Sequence, residues 1–206
     1  MSASLNFDHT KFFNAYRDAY GRLKQSQVDG IESLLNHLQS DTEIKDLRWA
    51  AYMLATVKHE CGDTWQPIEE WGKGKGRSYG APVDVIGSDG KTYSVTYYGR
   101  GYVQLTWKDN YEKMSRALGL ADELLIHPQR ALDPDIAYQI MSWGMRHGAF
   151  TGKKLADYIH DDECDYKNAR RIINGLDQWE RIKGYADNFE TFLKQSTVPQ
   201  SALSID

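Results

Sequence analysis

Lys58-His59-Glu60-Cys61-Gly62-Asp63-Thr64-Trp65-Gln66-Pro67-Ile68-Glu69-Glu70-Trp71 joins the end of an apolar helix to a short segment with two more carboxylates beside an indole. The residues leading into it, from about Ile44, set Leu47, Ala50, Ala51, Leu54, Val57 and Cys61 along one stripe. Alanines in that stripe let neighbouring helices approach closely. Gly62 is the expected C-cap. Glu60 then falls on the flank of the stripe, at the negative end of the helix dipole, and both influences disfavour charge and suit a proton donor. Glu69 and Glu70 follow the break at Gly62 and Pro67, on a segment able to face Glu60 across a groove. One carboxyl set against helix and indole and another left in water give a single site both an acid and a base. Inverting hydrolysis of a glycoside needs two such groups about 6.5–9.5 Å apart, with space for a water. Glu69 is taken as the base with Glu70 as the alternative; the plainer reading of each acid is a solvated surface charge.

Outward from this stretch the pattern is mostly helical. Phe12, Phe13, Tyr16 and Tyr20 predict a helix from Asp8 to Tyr20 closed by Gly21, and Val28, Ile31, Leu34, Leu35 and Leu38 predict a second from Gln25 to Leu38. Asp89-Gly90 between two β-branched runs predicts a two-residue β-hairpin turn. Helices follow at 109–118, 133–148 (with Asp133 as N-cap and Pro134 at the first helical position), 154–159, 166–173 and 178–193. One domain over 1–194 and a loose tail over 195–206 are expected.

Composition narrows the function. The 206 residues carry a net charge of −4, with 25 basic residues scattered along the chain, so no nucleic-acid footprint exists. Two cysteines, Cys61 and Cys164, are too few for a disulfide framework and are read as free thiols. No second histidine stands four residues beyond His59, so no metal and no cofactor is expected. There is no basic-then-apolar leader and no run of 18 apolar residues. The expectation is a protein made in the cytoplasm without signal peptide or membrane span.

A second stretch, Tyr97-Tyr98-Gly99-Arg100-Gly101-Tyr102-Val103-Gln104-Leu105-Thr106-Trp107-Lys108-Asp109-Asn110-Tyr111, sends an amide and a hydroxyl from Gln104 and Thr106 to one side. With rings from Trp65, Trp71, Tyr98, Trp107 and Tyr111, such a wall suits a sugar, although any one ring taken singly is more often a core residue. Lys73-Gly74-Lys75-Gly76-Arg77 is a short basic loop able to touch an anionic glycan, or simply a solvated face.

His59-Glu60, the Tyr98–Thr106 block with Asn110-Tyr111, and Ile173-Asn174-Gly175 together resemble the three signature blocks of glycoside hydrolase family 19. That family contains plant-type chitinases and a branch of phage endolysins. The resemblance implies a mainly α (α+β), lysozyme-like fold with a small β-hairpin beside a deep substrate cleft, and hydrolysis with inversion. It makes Glu60 the general acid and Glu69 the general base, with Thr106 holding the water. Gln104, Asn110 and Asn174 would bind the sugars beside Tyr98 and Trp71, and Arg181 matches an arginine that orients the second carboxylate. The acids lie only nine residues apart, disulfides are missing, and Leu176 replaces a second glycine after Asn174. The short spacing and missing disulfides resemble the endolysin branch. The implied substrate is peptidoglycan, cut between N-acetylmuramic acid and N-acetylglucosamine, with chitin as the alternative. The implied setting is a monomer acting on the cell wall in the periplasm after release by a separate holin-type protein.

Overall fold

The computed structural model describes residues 5–199, so residues 200–206 of the expected tail lie outside it. Its axis is helix α3 (Leu47–Glu60), started by Asp46, whose carboxylate accepts the Arg48 N–H, and buried without interruption from Ala50 to Lys58. Nine successive buried positions mean that the helix is covered on all sides, which its alanines permit. Helix α8 (Trp179–Ser196) is its main partner, and helix α1 (His9–Tyr20) packs on α8 in turn. Phe12, Tyr16, Phe189 and Phe192 interlock between those last two, with ring centroids 6.1–6.5 Å apart.

A buried cation ties the three helices together. The Lys58 ammonium reaches Asp63 at 2.6 Å and the Tyr16 hydroxyl at 3.0 Å, and sits 4.4–5.8 Å from the ring centroids of Tyr16, Tyr20, Trp65 and Tyr185. Four electron-rich faces and two oxygen partners stand in for the water it has lost. Helix α2 (Gln25–Ser40) buries Ile31, Leu34, Leu35 and Leu38. It passes so close to the loop after α3 that a Cβ at Gly30 would lie 2.1 Å from the Trp65 carbonyl oxygen.

Three two-stranded antiparallel ladders complete the α+β fold: β1 (Ile68–Glu69) with β4 (Arg100–Gly101), β2 (Val83–Ile86) with β3 (Thr92–Val95), and β5 (Ile159–His160) with β6 (Glu163–Cys164). The hairpin is where the sequence places it, but its turn is wider than two residues. Ile86 pairs with Thr92, and Gly87 and Lys91 are further joined by a hydrogen bond, with Gly90 at φ +78°. The remaining helices are α4 (Lys108–Ala117), α5 (Glu123–Ile126), α6 (Pro134–His147) and α7 (Tyr166–Ala169). Helix α6 begins on the Asp133 cap and ends on Gly148 in the left-handed region.

Local chemistry overrides the helical pattern in several places. The helix expected over 154–159 is a single 3-10 turn, Leu155–Asp157, and Ile159 belongs to β5 because Asp161 at φ +43° folds the chain back on itself. The helix expected over 166–173 divides into α7 and a 3-10 turn, Arg170–Ile172. Residues 195–198 of the expected tail are packed on the domain. Gln195 and Ser196 still belong to α8, the Asp8 N–H donates to the Ser196 carbonyl at 2.7 Å, and Phe7 bridges Thr197. Both cysteines are free, Cys61 buried and Cys164 exposed.

Candidate active site

The end of α3 is held by two backbone bonds, from Gly62 N–H to the His59 carbonyl at 3.2 Å and from Asp63 N–H to the Lys58 carbonyl at 3.0 Å. Gly62 at φ +55° makes this reversal possible, as its place in the sequence predicts. The closed end docks on the β1–β4 ladder through Cys61, whose sulfur lies 3.8 Å from the carbonyl oxygens of Gly101 and Tyr102. Gly101 pairs with Ile68, the residue before Glu69. Glu60 and Glu69 are thereby connected by one sulfur contact and one ladder pair, although they stand on different elements.

Glu60 does not stand alone against an apolar stripe. Arg170, with only 3% of its side chain exposed, places a guanidinium nitrogen 2.6 Å from one Glu60 oxygen and donates through Nε to the Asp177 carbonyl at 2.9 Å. Nothing in the sequence pattern separated Arg170 from the scattered surface cations. His59 lies half-buried next to this pair, and burial, opposed by Glu60 and reinforced by Arg170 and Arg181, lowers its pKa.

Glu69 opposes Arg100 in the ladder. One of its oxygens accepts the Tyr98 hydroxyl at 2.6 Å and the other meets the Lys73 ammonium at 2.8 Å. Lys73, then Tyr98, hold the carboxyl below its ordinary pKa, the state that suits a base. Arg100 stacks on the Tyr98 ring at 3.6 Å and gives Nη1 to the Thr96 and Tyr98 carbonyls and the Tyr111 hydroxyl. Its Nε, buried and without a hydrogen-bond partner among the described residues, points 4.0 Å from Glu69. Glu70 is fastened differently: its oxygens accept the Tyr79 hydroxyl at 2.8 Å and the Gly99 N–H at 2.9 Å, and its own N–H extends the ladder to the Gly99 carbonyl.

Gly99 is the point where the two chemical stretches touch. A Cβ built there would lie 2.9 Å from the Gln104 side-chain oxygen, 3.3 Å from the Thr106 hydroxyl and 3.3 Å from the Glu70 Cβ. The Gln104 amide nitrogen is already committed to the Ile68 and Gly101 carbonyls, leaving only its oxygen for a ligand. Thr106 donates to the Gln104 carbonyl at 2.8 Å, and Asn110 donates to the Thr106 carbonyl at 2.8 Å. Gln104, Thr106, Trp107, Asn110, Phe150 and Ile173 border a hollow of about 200 Å³. Ile173 adjoins the exposed Asn174, which brings the third block to the same rim.

Three expectations change. Tyr98, only 7% exposed, steadies Glu69 and cannot present its ring to a sugar. Trp65 and Tyr111 are core, so only Trp71 and Trp107 of the five rings are open. Arg181 lines a polar hollow with Leu176, Asp177, Gln178, Trp179 and Glu180, and its charge acts on His59. It thus lies on the Glu60 side, and the cations at Glu69 are Lys73 and Arg100. Lys73 and Arg100 were legible as residues but not as partners of a carboxylate.

No protein-family model matches the chain. An endochitinase of Arabidopsis thaliana is 37% identical over 97 residues, which cover 47% of this chain and 31% of that protein. The acidic 26 kDa endochitinase of Solanum lycopersicum is 42% identical over 48 residues, which cover 23% of this chain and 19% of that protein. The matched segments thus span less than a third of either relative. Among solved structures, chitinase C from Streptomyces griseus HUT6037 superposes with a TM-score of 0.60 at 23% identity, covering 94% of this chain and 79% of the other. The fold is therefore the lysozyme-like one of that chitinase.

Proposed function

We propose, from the chain's place in glycoside hydrolase family 19, that it hydrolyses β-1,4 bonds in glycans of N-acetylglucosamine. Glu60 is the general acid on the glycosidic oxygen. Glu69 is the general base on an attacking water, with Thr106 as that water's second partner. The observation that supports this reading is the docking of the helix that ends in Glu60 onto the ladder that carries Glu69, each carboxylate having its own partners, Arg170 for one and Lys73 with Tyr98 for the other. Attack by a water held between base and threonine, on the face opposite the acid, inverts the anomeric centre.

Chitin is the better-supported substrate, because the relatives in hand carry the name endochitinase. The second reading, cleavage between N-acetylmuramic acid and N-acetylglucosamine in peptidoglycan, is favoured by the cationic Lys73–Arg77 loop beside the base. In that case a holin-type protein would give the enzyme access to the cell wall. Reducing ends released from chitin oligomers and from purified sacculi decide between the two. Glu60→Gln removes the transferable proton and keeps the shape, so it should abolish turnover of whichever substrate is cut. Near-full activity of Glu60→Gln overturns the hydrolase reading.

A further inference from the structure

The loop from Trp71 to Arg77 contains more structure than a solvated basic turn needs. Three successive turn bonds run along it, from Lys73 N–H to Glu70, Lys75 N–H to Gly72 and Arg77 N–H to Gly74, at 2.9–3.0 Å. Gly72, Gly74 and Gly76 all lie at φ +71° to +80°, and Lys73 itself at +50°. The loop is pinned at Gly74: a Cβ there would fall 2.7 Å from the Gly80 Cα and 3.1 Å from the Tyr98 Cβ, and a Cβ at Gly80 only 1.9 Å from the Gly74 carbonyl. Such contacts fix the backbone against the segment that carries Tyr98, between β3 and β4. The residues between the glycines are then directed outward.

What it directs outward is an indole and three cations. Trp71 is fully exposed, and Lys73, Lys75 and Arg77 are all exposed. Lys75 and Arg77 have no ion-pair partner among the described residues, and Lys73 has Glu69 alone. An ammonium carries three donors, and Lys73 uses one on Glu69 with 63% of its side chain in solvent. On a chain with a net charge of −4, this cationic cluster sits against the proposed base.

We propose that the Trp71–Arg77 loop is the part of the glycan site that reads a carboxylate on the substrate, with Lys73 as the specificity-determining residue. A sugar substituent bearing a carboxylate would be repelled by the ionised Glu69 next to it. Lys73 lies where one ammonium can bridge both anions, Lys75 and Arg77 extend the positive field, and Trp71 offers its face to the ring. A glycan of neutral N-acetylglucosamine draws nothing from these charges. The inference rests on the hydrolase reading of Glu69 and on the second of the two substrates, peptidoglycan.

The test compares peptide-free peptidoglycan strands, whose muramic acid carboxyls are intact, with the same strands after those carboxyls are reduced to alcohols. Chitin hexamer is run alongside. The wild type should cut the intact strands with the higher kcat/KM, by roughly fivefold, and Lys73→Met should bring that ratio to near one. Lys75→Met with Arg77→Met should lower the ratio partly and make it less dependent on salt. An intact-to-reduced ratio near one in the wild type, or a ratio that Lys73→Met leaves in place, overturns the proposal. So does cleavage of chitin hexamer with no cleavage of either strand preparation. Full turnover by Glu60→Gln would instead remove the hydrolase reading beneath it.

Discussion

The guanidinium of Arg170 lies 2.6 Å from the carboxylate of Glu60, and its other arm holds the Asp177 carbonyl. The Asn174 N–H donates to Arg170's own carbonyl at 3.0 Å, so one residue brackets the 171–177 loop and restrains the proposed acid. Arg170→Met leaves a largely buried carboxylate and a carbonyl without partners. It should cost about 2–4 kcal/mol in urea unfolding and lower kcat as well. Arg170→Lys keeps the charge without the fork and should fall between the two.

Glu69 and Glu70 are adjacent but differently employed. Glu69→Gln should reduce kcat by about 10²–10⁴-fold with only a slightly lowered unfolding midpoint, because it removes the proton acceptor together with one exposed ion pair to Lys73. Glu70→Gln retains an acceptor for the Gly99 N–H and should keep most of the activity. Steady-state kinetics on a soluble oligomer distinguish them, and a reversed order would transfer the base to Glu70.

The Glu69 carboxyl titrates below its ordinary value, held there by Lys73 and then by the Tyr98 hydroxyl. Its ionised form therefore persists into mildly acidic solution, and activity should fall only as pH drops through that lowered value. Tyr98→Phe removes one of the two donors, raises the Glu69 pKa and should move the acid limb of the kcat/KM profile to higher pH. The stability this carboxylate contributes has the same sign: it is present above the unfolded pKa and lost as pH falls through the folded one.

Gly99→Ala tests the junction of the two chemical stretches. The added methyl meets the Gln104 oxygen and the Thr106 hydroxyl at 2.9 and 3.3 Å, so both must shift. A displacement of that kind next to the attacking water should lower kcat by roughly tenfold or more, with the circular dichroism spectrum unchanged.

What the sequence conveyed and what it withheld differ in kind. The α3 helix, its Gly62 stop and the Asp133-Pro134 start depend on neighbours within a turn of helix and appear in the structure as the spacing predicts, although α3 is buried all round and not along one stripe. Motif and spacing singled out Glu60 and Glu69 as candidates. Arg170 was not, because its partner is 110 residues away and an arginine in a polar run looks like any surface cation. Tyr98 misled for a related reason: sequence shows a ring near a glycine but not whether its face or its hydroxyl is free. The short β5–β6 ladder was hidden because two paired residues per strand leave no alternation to read.

Lys58 offers a test of the scaffold separate from the site. Burial pulls its ammonium pKa down, but Asp63 and Tyr16 outweigh that and leave it above the ordinary lysine value. The charge is therefore present across the working pH range and its contribution disappears only in strong alkali. Lys58→Met should cost about 1–3 kcal/mol at any pH from 5 to 9, read from urea midpoints, since Asp63 loses its ion pair and keeps only the Tyr16 and Trp65 donors.

The clasp between Phe7 and Thr197, reinforced by the bonds from Asp8 to Ser196 and from Val198 to Asn6, makes the described chain nearly a closed ring. Joining its ends through a short glycine-rich linker and reopening the backbone at the exposed Gly152-Lys153 turn would yield a circular permutant with every helix intact. Cargo fused at either extremity would emerge from the same corner of the molecule, on the seam between α1 and α8.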